Sequence, residues 1–336
     1  MVHETVPKVE LHCHLIGTLN APLLREIDLA GERILVRPEN VQPVGFGEGP
    51  QGFADWLVRV EPYKSAGWRD YLPVLEAHME RLVQQGVVYA EMMISPMMFA
   101  RDTGALVEEF AEFQERVRSR ERGVLQVEFL FLVPRSLPDE FIDKDIARCI
   151  ALAKTGGICG ISIAGLERDC PASRFERMFG VLKDHGLGIE IHAGELGGPE
   201  EIFEALDVGR ADRIGHGVAA FRDERLVERL CTENVHIEFC PTSNLKMGAA
   251  RDIASHPIGL ARDLNMNFSI NTDDPGSFDC TMNSEFALIE SEFGFGKVDF
   301  QAVARNSLAA RFQRNLRYDI QIPENFQAGA VEAILV

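Results

Sequence analysis

The residues with the most chemical potential in this chain are histidines and acids that recur at the ends of apolar runs. His12 and His14 stand two apart in VELHCHL. On a strand that spacing puts both imidazoles on one face, close enough to share a cation. His192 and Asp273 end two other apolar runs and can complete the shell. Three imidazoles and one carboxylate suit a borderline-soft divalent ion, with Zn2+ first. A further coordination position would hold water, whose pKa the ion would lower to give a hydroxide near neutral pH. Around this set lies proton-handling chemistry. Glu195, three residues after His192, is placed to give and take a proton facing a substrate. His216 in IGHG could orient the attacking hydroxide. Asp274 follows Asp273 and, by strand alternation, points elsewhere, towards substrate.

The other histidines read more simply. His3, His78, His185, His236 and His256 are assigned to ordinary packing or surface roles, His78 on a helix face and His236 at the start of its strand. Cys13 lies between the two motif histidines and points to the opposite face, so it is read as packing and not as a ligand. The case for chemistry rests on the set. Polar groups placed repeatedly at strand ends are costly to bury without a shared role.

Positioning these groups takes strands that end together. Apolar runs rich in Val, Ile and Phe occur at 9–15, 87–95, 125–133, 157–165, 187–194, 212–217, 235–241 and 266–274. Most are too apolar for a sheet with one wet face, which is how parallel strands covered on both sides read. Amphipathic stretches at 68–86, 105–121, 138–154, 171–186, 199–207, 223–234 and 256–265 alternate with them. Eight such units predict a (β/α)8 barrel, in which functional groups gather at the C-terminal ends of the strands. An open doubly wound sheet is the alternative, weakened because no G-x-G-x-x-G follows an early strand. Residues 19–67 read as an insertion after the first strand that caps the barrel mouth, with a helix near FADWLVRVEPY. No linker or repeat divides the chain, so residues 1–336 are expected to form one domain.

Bulk composition narrows the partners. The 336 residues carry a formal net charge of -18. That argues against nucleic acid or an anionic membrane as a partner, because phosphates would be repelled. It leaves a small neutral substrate open and says nothing of oligomeric state. No run approaches the ~20 apolar residues of a membrane span. The start of the chain has no secretory pattern. The seven cysteines are scattered, without C-x-x-C, as expected of reduced thiols in a cytoplasmic protein.

Taken together, PKVELHCHL-x-G (7–17), VVYAEMMISP (87–96), GISIAG (160–165), IHAGE (191–195), RIGHG (213–217), CPTSN (240–244) and NTDDP (271–275) resemble the adenosine and adenine deaminase family of metal-dependent amidohydrolases. They occur in the family's order and span nearly the whole chain. The resemblance implies a (β/α)8 barrel with one Zn2+ per chain and hydrolytic removal of an amino group from a purine. It implies zinc binding by His12, His14, His192 and Asp273, and protonation by Glu195 of the ring nitrogen beside the attacked carbon. His216 would assist the hydroxide. Asp274 would hydrogen-bond the imidazole-ring nitrogen of the purine, and the Gly165 N–H the other pyrimidine-ring nitrogen.

Two positions depart from the family pattern. Ile16 stands where an acid reaches the ribose in nucleoside deaminases, or where many adenine deaminases have Glu, and Met93 stands where an arginine is common. The expected substrate is adenosine, giving inosine and ammonia, with Thr18 or the 19–67 insertion replacing the missing sugar contact. Free adenine, or a modified adenine nucleoside such as aminodeoxyfutalosine, is the alternative within the same chemistry. An amidohydrolase acting on another amide or ester is the alternative outside it. A binding protein without activity is disfavoured because every catalytic motif residue is present.

Overall fold

The computed structural model describes residues 2–317 apart from Asp169. Eight strands run in sequence order through one parallel sheet: β1 (Lys8–His14), β2 (Val87–Ile94), β3 (Gln126–Pro134), β4 (Gly160–Ala164), β5 (Gly188–Ala193), β6 (Arg213–His216), β7 (His236–Phe239) and β8 (Phe268–Ile270). β1 and β8 meet through a parallel bridge between Cys13 and Asp273. There His14 N–H donates to Asp273 O at 2.9 Å, and Asp273 N–H donates to His12 O at 2.9 Å. The sheet is thus the (β/α)8 barrel expected from the alternating pattern. Its closing bond is made by three of the residues singled out for chemistry. Among the described residues no helix is long and apolar enough to cross a membrane.

Strand and helix positions follow the hydrophobic pattern with ends displaced by a few residues. Every strand is buried along nearly its whole length, as expected where helices cover the outside and side chains fill the inside. Cys13 is fully buried among apolar neighbours. Four helices fall outside the sequence reading: Ala21–Leu29, Pro241–Lys246, Met282–Phe293 and Lys297–Ala310. The last two pack on β8 and complete the outer ring. Within 19–67, Gly49–Arg59 is the helix read near FADWLVRVEPY. This segment touches the loop after β8: Val44 N–H donates to Ser277 O at 2.7 Å, and the Phe53 and Phe278 rings stack at 5.4 Å.

The barrel interior is ionic as well as apolar. Glu10, Glu91, Glu128, Glu190 and Glu238 come from five different strands, and all are essentially inaccessible. Arg213 on β6 pairs with Glu91 at 2.7 Å and Glu238 at 2.5 Å. Phe312 stacks on its guanidinium at 3.6 Å, so the segment after the last helix covers the end opposite the site. His236, at the start of β7, is held by Asn267 at 2.7 Å and Ser269 at 3.0 Å, a structural role as read.

Burial pushes the His236 imidazole down to about 4. Its neutral form therefore favours folding above the unfolded value near 6.5, and that contribution fades as pH falls towards 4. His236→Asn should make the pH dependence of unfolding free energy shallower by about 1.4 kcal/mol per pH unit between about pH 6 and 4. Urea titrations across that range check this; parallel curves for the two proteins would remove His236 from the acid response.

Candidate active site

The sequence-selected residues converge at the C-terminal ends of the strands. His12 and His14 project from β1, His192 from β5, His216 from the end of β6, and Asp273 and Asp274 from the turn after β8. One ligand atom from each of His12, His14, His192 and Asp273 lies within 4.8 Å of all the others. His14 Nε2 and His192 Nε2 are 3.2 Å apart, and Asp273 Oδ1 lies 3.4 Å from His12 Nε2 and 3.3 Å from His14 Nε2. His216 and Asp273 both adopt φ of +63°. Non-glycine residues rarely accept that conformation unless the surroundings impose it, and such residues cluster at functional sites.

Whether a metal fits can be judged from the other side of each ligand. His12 Nδ1 lies 2.7 Å from Glu238 Oε2, and His192 Nδ1 lies 3.1 Å from Glu190 Oε1. Both imidazoles therefore have an acidic partner for one nitrogen and a second nitrogen free to face the cluster, the arrangement typical of metal-binding histidines. Ser243 Oγ donates to Asp273 Oδ2 at 2.7 Å, leaving Oδ1 turned inward. His12 Nε2 is buried with no hydrogen-bond partner. Burial opposes a charge on His12, yet Asp273 and Glu238 hold its imidazole well above the usual histidine range. The donor set thus calls for a cation and suits a divalent one such as zinc.

Beside the ligands sit groups with displaced proton affinities. Burial, then the charges of Asp273 and Glu167, push the Glu195 carboxyl well above the carboxylate range. Burial and Asp273 do the same to Asp274. Asp273 moves the other way: burial opposes its charge, but the His12 and His14 imidazoles, 3.4 and 3.3 Å from its Oδ1, hold it well below. Burial keeps His192 and His216 neutral. Glu195 Oε2 is 3.8 Å from His216 Nε2.

Gly17 explains the glycine of the first motif. A Cβ there would lie 1.9 Å from Asp274 Oδ1 and 2.6 Å from its Cα. Any side chain would displace Asp274. Gly165 ends β4 exposed, with φ of +117°, a conformation that favours glycine. Thr18 does not stand open to a ligand. It is fully buried, and its hydroxyl donates to Leu15 O at 2.8 Å.

Several residues that support the site escaped the sequence reading. Glu167 accepts from the N–H groups of Gly194 at 2.5 Å, Glu195 at 2.9 Å and Leu196 at 2.9 Å, so one carboxylate holds the turn that presents Glu195. Arg135 donates to His192 O at 2.7 Å. Asn244 and His256 stand behind His216. Glu190 and Glu238 had a visible signal: each shares a strand face with the site, Glu190 by standing two residues before His192.

Comparison with known proteins gives the same picture. Residues 7–318 match the family model for adenosine deaminase. An adenine deaminase of Rhizobium johnstonii is 32% identical over 321 residues, covering 91% of this chain and 94% of its own length. The crystal structure of an adenine deaminase from Arthrobacter aurescens superposes with a TM-score of 0.79 at 25% identity, covering 98% of this chain and 97% of that one. An amidohydrolase from Burkholderia ambifaria with bound Zn shares the fold at a TM-score of 0.74 and 21% identity, over 93% and 87% of the two chains.

Because Ser243 orients the Asp273 carboxylate, Ser243→Ala should weaken Zn2+ retention by about 10-fold without unfolding the barrel. Competition with a chromogenic chelator measures this. Equal retention by both proteins would separate Ser243 from the metal site.

Proposed function

Since the chain belongs to the adenosine deaminase family, we propose that it removes the 6-amino group of an adenine-type purine by hydrolysis, with one zinc ion held by His12, His14, His192 and Asp273. The observation that carries the reading is the convergence of those four ligands within 4.8 Å, beside the Glu195 carboxyl, which burial and Asp273 shift towards its protonated form. When bound, zinc would supply a hydroxide nucleophile near neutral pH.

The protein's own groups account for the rest. Glu195 gives its proton to the ring nitrogen next to the amino-bearing carbon, which makes that carbon electrophilic. Water adds to the carbon as its proton passes to the Glu195 carboxylate just formed; Glu195 returns that proton to the amino nitrogen, which leaves as ammonia, and recovers its own from the new hydroxyl as the carbonyl forms. Asp274, kept neutral by burial and by Asp273, donates a hydrogen bond to the imidazole-ring nitrogen of the purine. The Gly165 N–H serves the other pyrimidine-ring nitrogen. His216 lines the side of the cavity that also holds Glu195. The 19–67 segment, packed against the loop after β8, covers the mouth and excludes water.

For the substrate, the initial expectation of adenosine gives way to free adenine. Ile16 is half-buried and packs against the core. Thr18, the proposed substitute contact, spends its proton on Leu15. A ribose hydroxyl buried at this point without a partner would cost about 1–3 kcal/mol, a cost the free base avoids. The relatives from Rhizobium johnstonii and Arthrobacter aurescens carry the name adenine deaminase.

Ammonia release from adenine, adenosine, deoxyadenosine and aminodeoxyfutalosine by zinc-loaded protein tests both levels. Adenine should lead adenosine in kcat/KM by about 10-fold or more. A faster nucleoside would overturn the choice of base, and no ammonia from any purine would overturn the deaminase reading.

Glu195→Gln should lower kcat by about 10²–10⁴ while zinc content stays at the wild-type level. Unchanged turnover would take the proton transfer away from Glu195.

A further inference from the structure

We infer that Asn244 and His256 fix His216 as a hydrogen-bond donor towards the reaction cavity, so that it cannot serve there as the proton acceptor. Its catalytic meaning rests on the deaminase reading above; the hydrogen-bond polarity does not.

The argument starts at a group whose polarity is not adjustable. The backbone N–H of Ile258 donates to His256 Nδ1 at 3.2 Å. A main-chain N–H can only donate, so His256 Nδ1 is an acceptor and the ring's proton sits on Nε2. That Nε2 lies 3.1 Å from Asn244 Oδ1 and donates to it. The carboxamide is thereby oriented: its other end is the NH2 group, which lies 3.1 Å from His216 Nδ1 and donates to it. His216 Nδ1 is then an acceptor, and the remaining proton of the neutral ring stands on Nε2, the nitrogen 3.8 Å from Glu195 Oε2.

No other assignment satisfies the chain. Turning the Asn244 amide end for end would make His256 Nε2 an acceptor while Nδ1 also accepts from Ile258. An imidazole with one or two N–H groups cannot accept at both nitrogens. All three side chains are buried, so water has little room to relax the constraint. The rings are held in place as well: Phe239 packs edge-on against His256 at 5.4 Å, and His216 lies 4.8 Å from the His12 ring and 4.9 Å from the His192 ring. The neutrality the argument needs follows from the same contacts, because an imidazole that accepts at Nδ1 has only Nε2 left for its proton when it is neutral, and an imidazolium could not accept there at all.

The role follows. A donor at this position stabilises negative charge that develops on the oxygen added to the purine carbon. The shuttled proton is then left to Glu195. Asn244 and His256 touch neither substrate nor reacting atoms; they are positioning residues that act through His216. Asn244 closes the CPTSN motif, and His256 lies twelve residues further on, at the turn before the helix Ile258–Asp263.

The test is made on the full chain labelled with 15N-histidine, metal-free and zinc-loaded, by long-range 1H–15N correlation. The wild type should show His216 protonated at Nε2 and bare at Nδ1. A proton on Nδ1 would overturn the relay, whatever the activity. In Asn244→Asp the carboxylate accepts from both sides and demands a proton on His216 Nδ1. Its His216 signals should exchange, with zinc content unchanged, and kcat should fall by about 100-fold or more while KM stays within about threefold. His256→Phe removes the anchor and should populate both tautomers, with a smaller loss. Exchanged signals with undiminished kcat would overturn the donor role while keeping the relay. A wild type with the expected signals that releases no ammonia from any purine would overturn the deaminase reading alone.

Discussion

The site depends on a line of buried charge that runs from the barrel's interior to its mouth. Arg213 pairs with Glu238 at 2.5 Å, and Glu238 in turn meets His12 Nδ1 at 2.7 Å. A buried carboxylate is costly unless it is paired and hydrogen-bonded. Glu238 meets that requirement only by holding an arginine below and an imidazole above. The same contact fixes which nitrogen of His12 faces the cluster. Removing one member would leave an uncompensated charge in the core, so the orientation of the His12 imidazole and the stability of the barrel rest on one chain of contacts. Glu190 stands next door, its Oε1 3.1 Å from His192 Nδ1 and 3.7 Å from His12 Nδ1.

The cavity above this line separates proton affinities that would be similar in water. Asp273, Asp274 and Glu195 are all largely buried acids, and two lie next to each other in sequence. Imidazole donors hold Asp273 in its charged form, and that charge then raises the cost of ionising Asp274 and Glu195. One carboxylate is held towards its charged form and two carboxyls are shifted towards their neutral forms by the same field. The backbone takes part, since the unusual φ at Asp273 turns it inward at the residue that also closes β8 onto β1. Gly17 completes the arrangement by leaving room for Asp274.

Much of this was legible in the sequence because it is periodic. Two-residue spacing placed His12 and His14 on one face, and alternating strand and helix signals gave the barrel and its mouth. The groups that were missed act at a distance no local pattern encodes. Glu167 grips the turn carrying Glu195 from another loop, and Asn244 reaches His216 across 28 residues. His256 looked like one more packing histidine because its partner lies in another motif. The buried acids are a different case. Glu10, Glu91, Glu128, Glu190 and Glu238 each interrupt an apolar strand, and five such interruptions were readable as a shared interior network. The helices after β8 lie beyond the last motif, and the local signal that marks them is the capping box of Thr281 and Ser284 before the first of them.

Ile16 remains the point where fold and function separate. It stands in the short turn after β1, between the ligand His14 and the glycine that admits Asp274. Its neighbours on both sides are constrained by the metal cluster and by close packing. Ile16 itself bears on neither, and an apolar residue there costs the barrel nothing because it packs against the core. The cluster of His12, His14 and Asp273 and the half-buried Ile16 thus lie together at the end of β1 without touching the same contacts. An acid at position 16 can be lost without disturbing His12, His14 or Asp274. Position 16 can therefore vary while the cluster behind it stays fixed, because the residues on either side of it are already engaged.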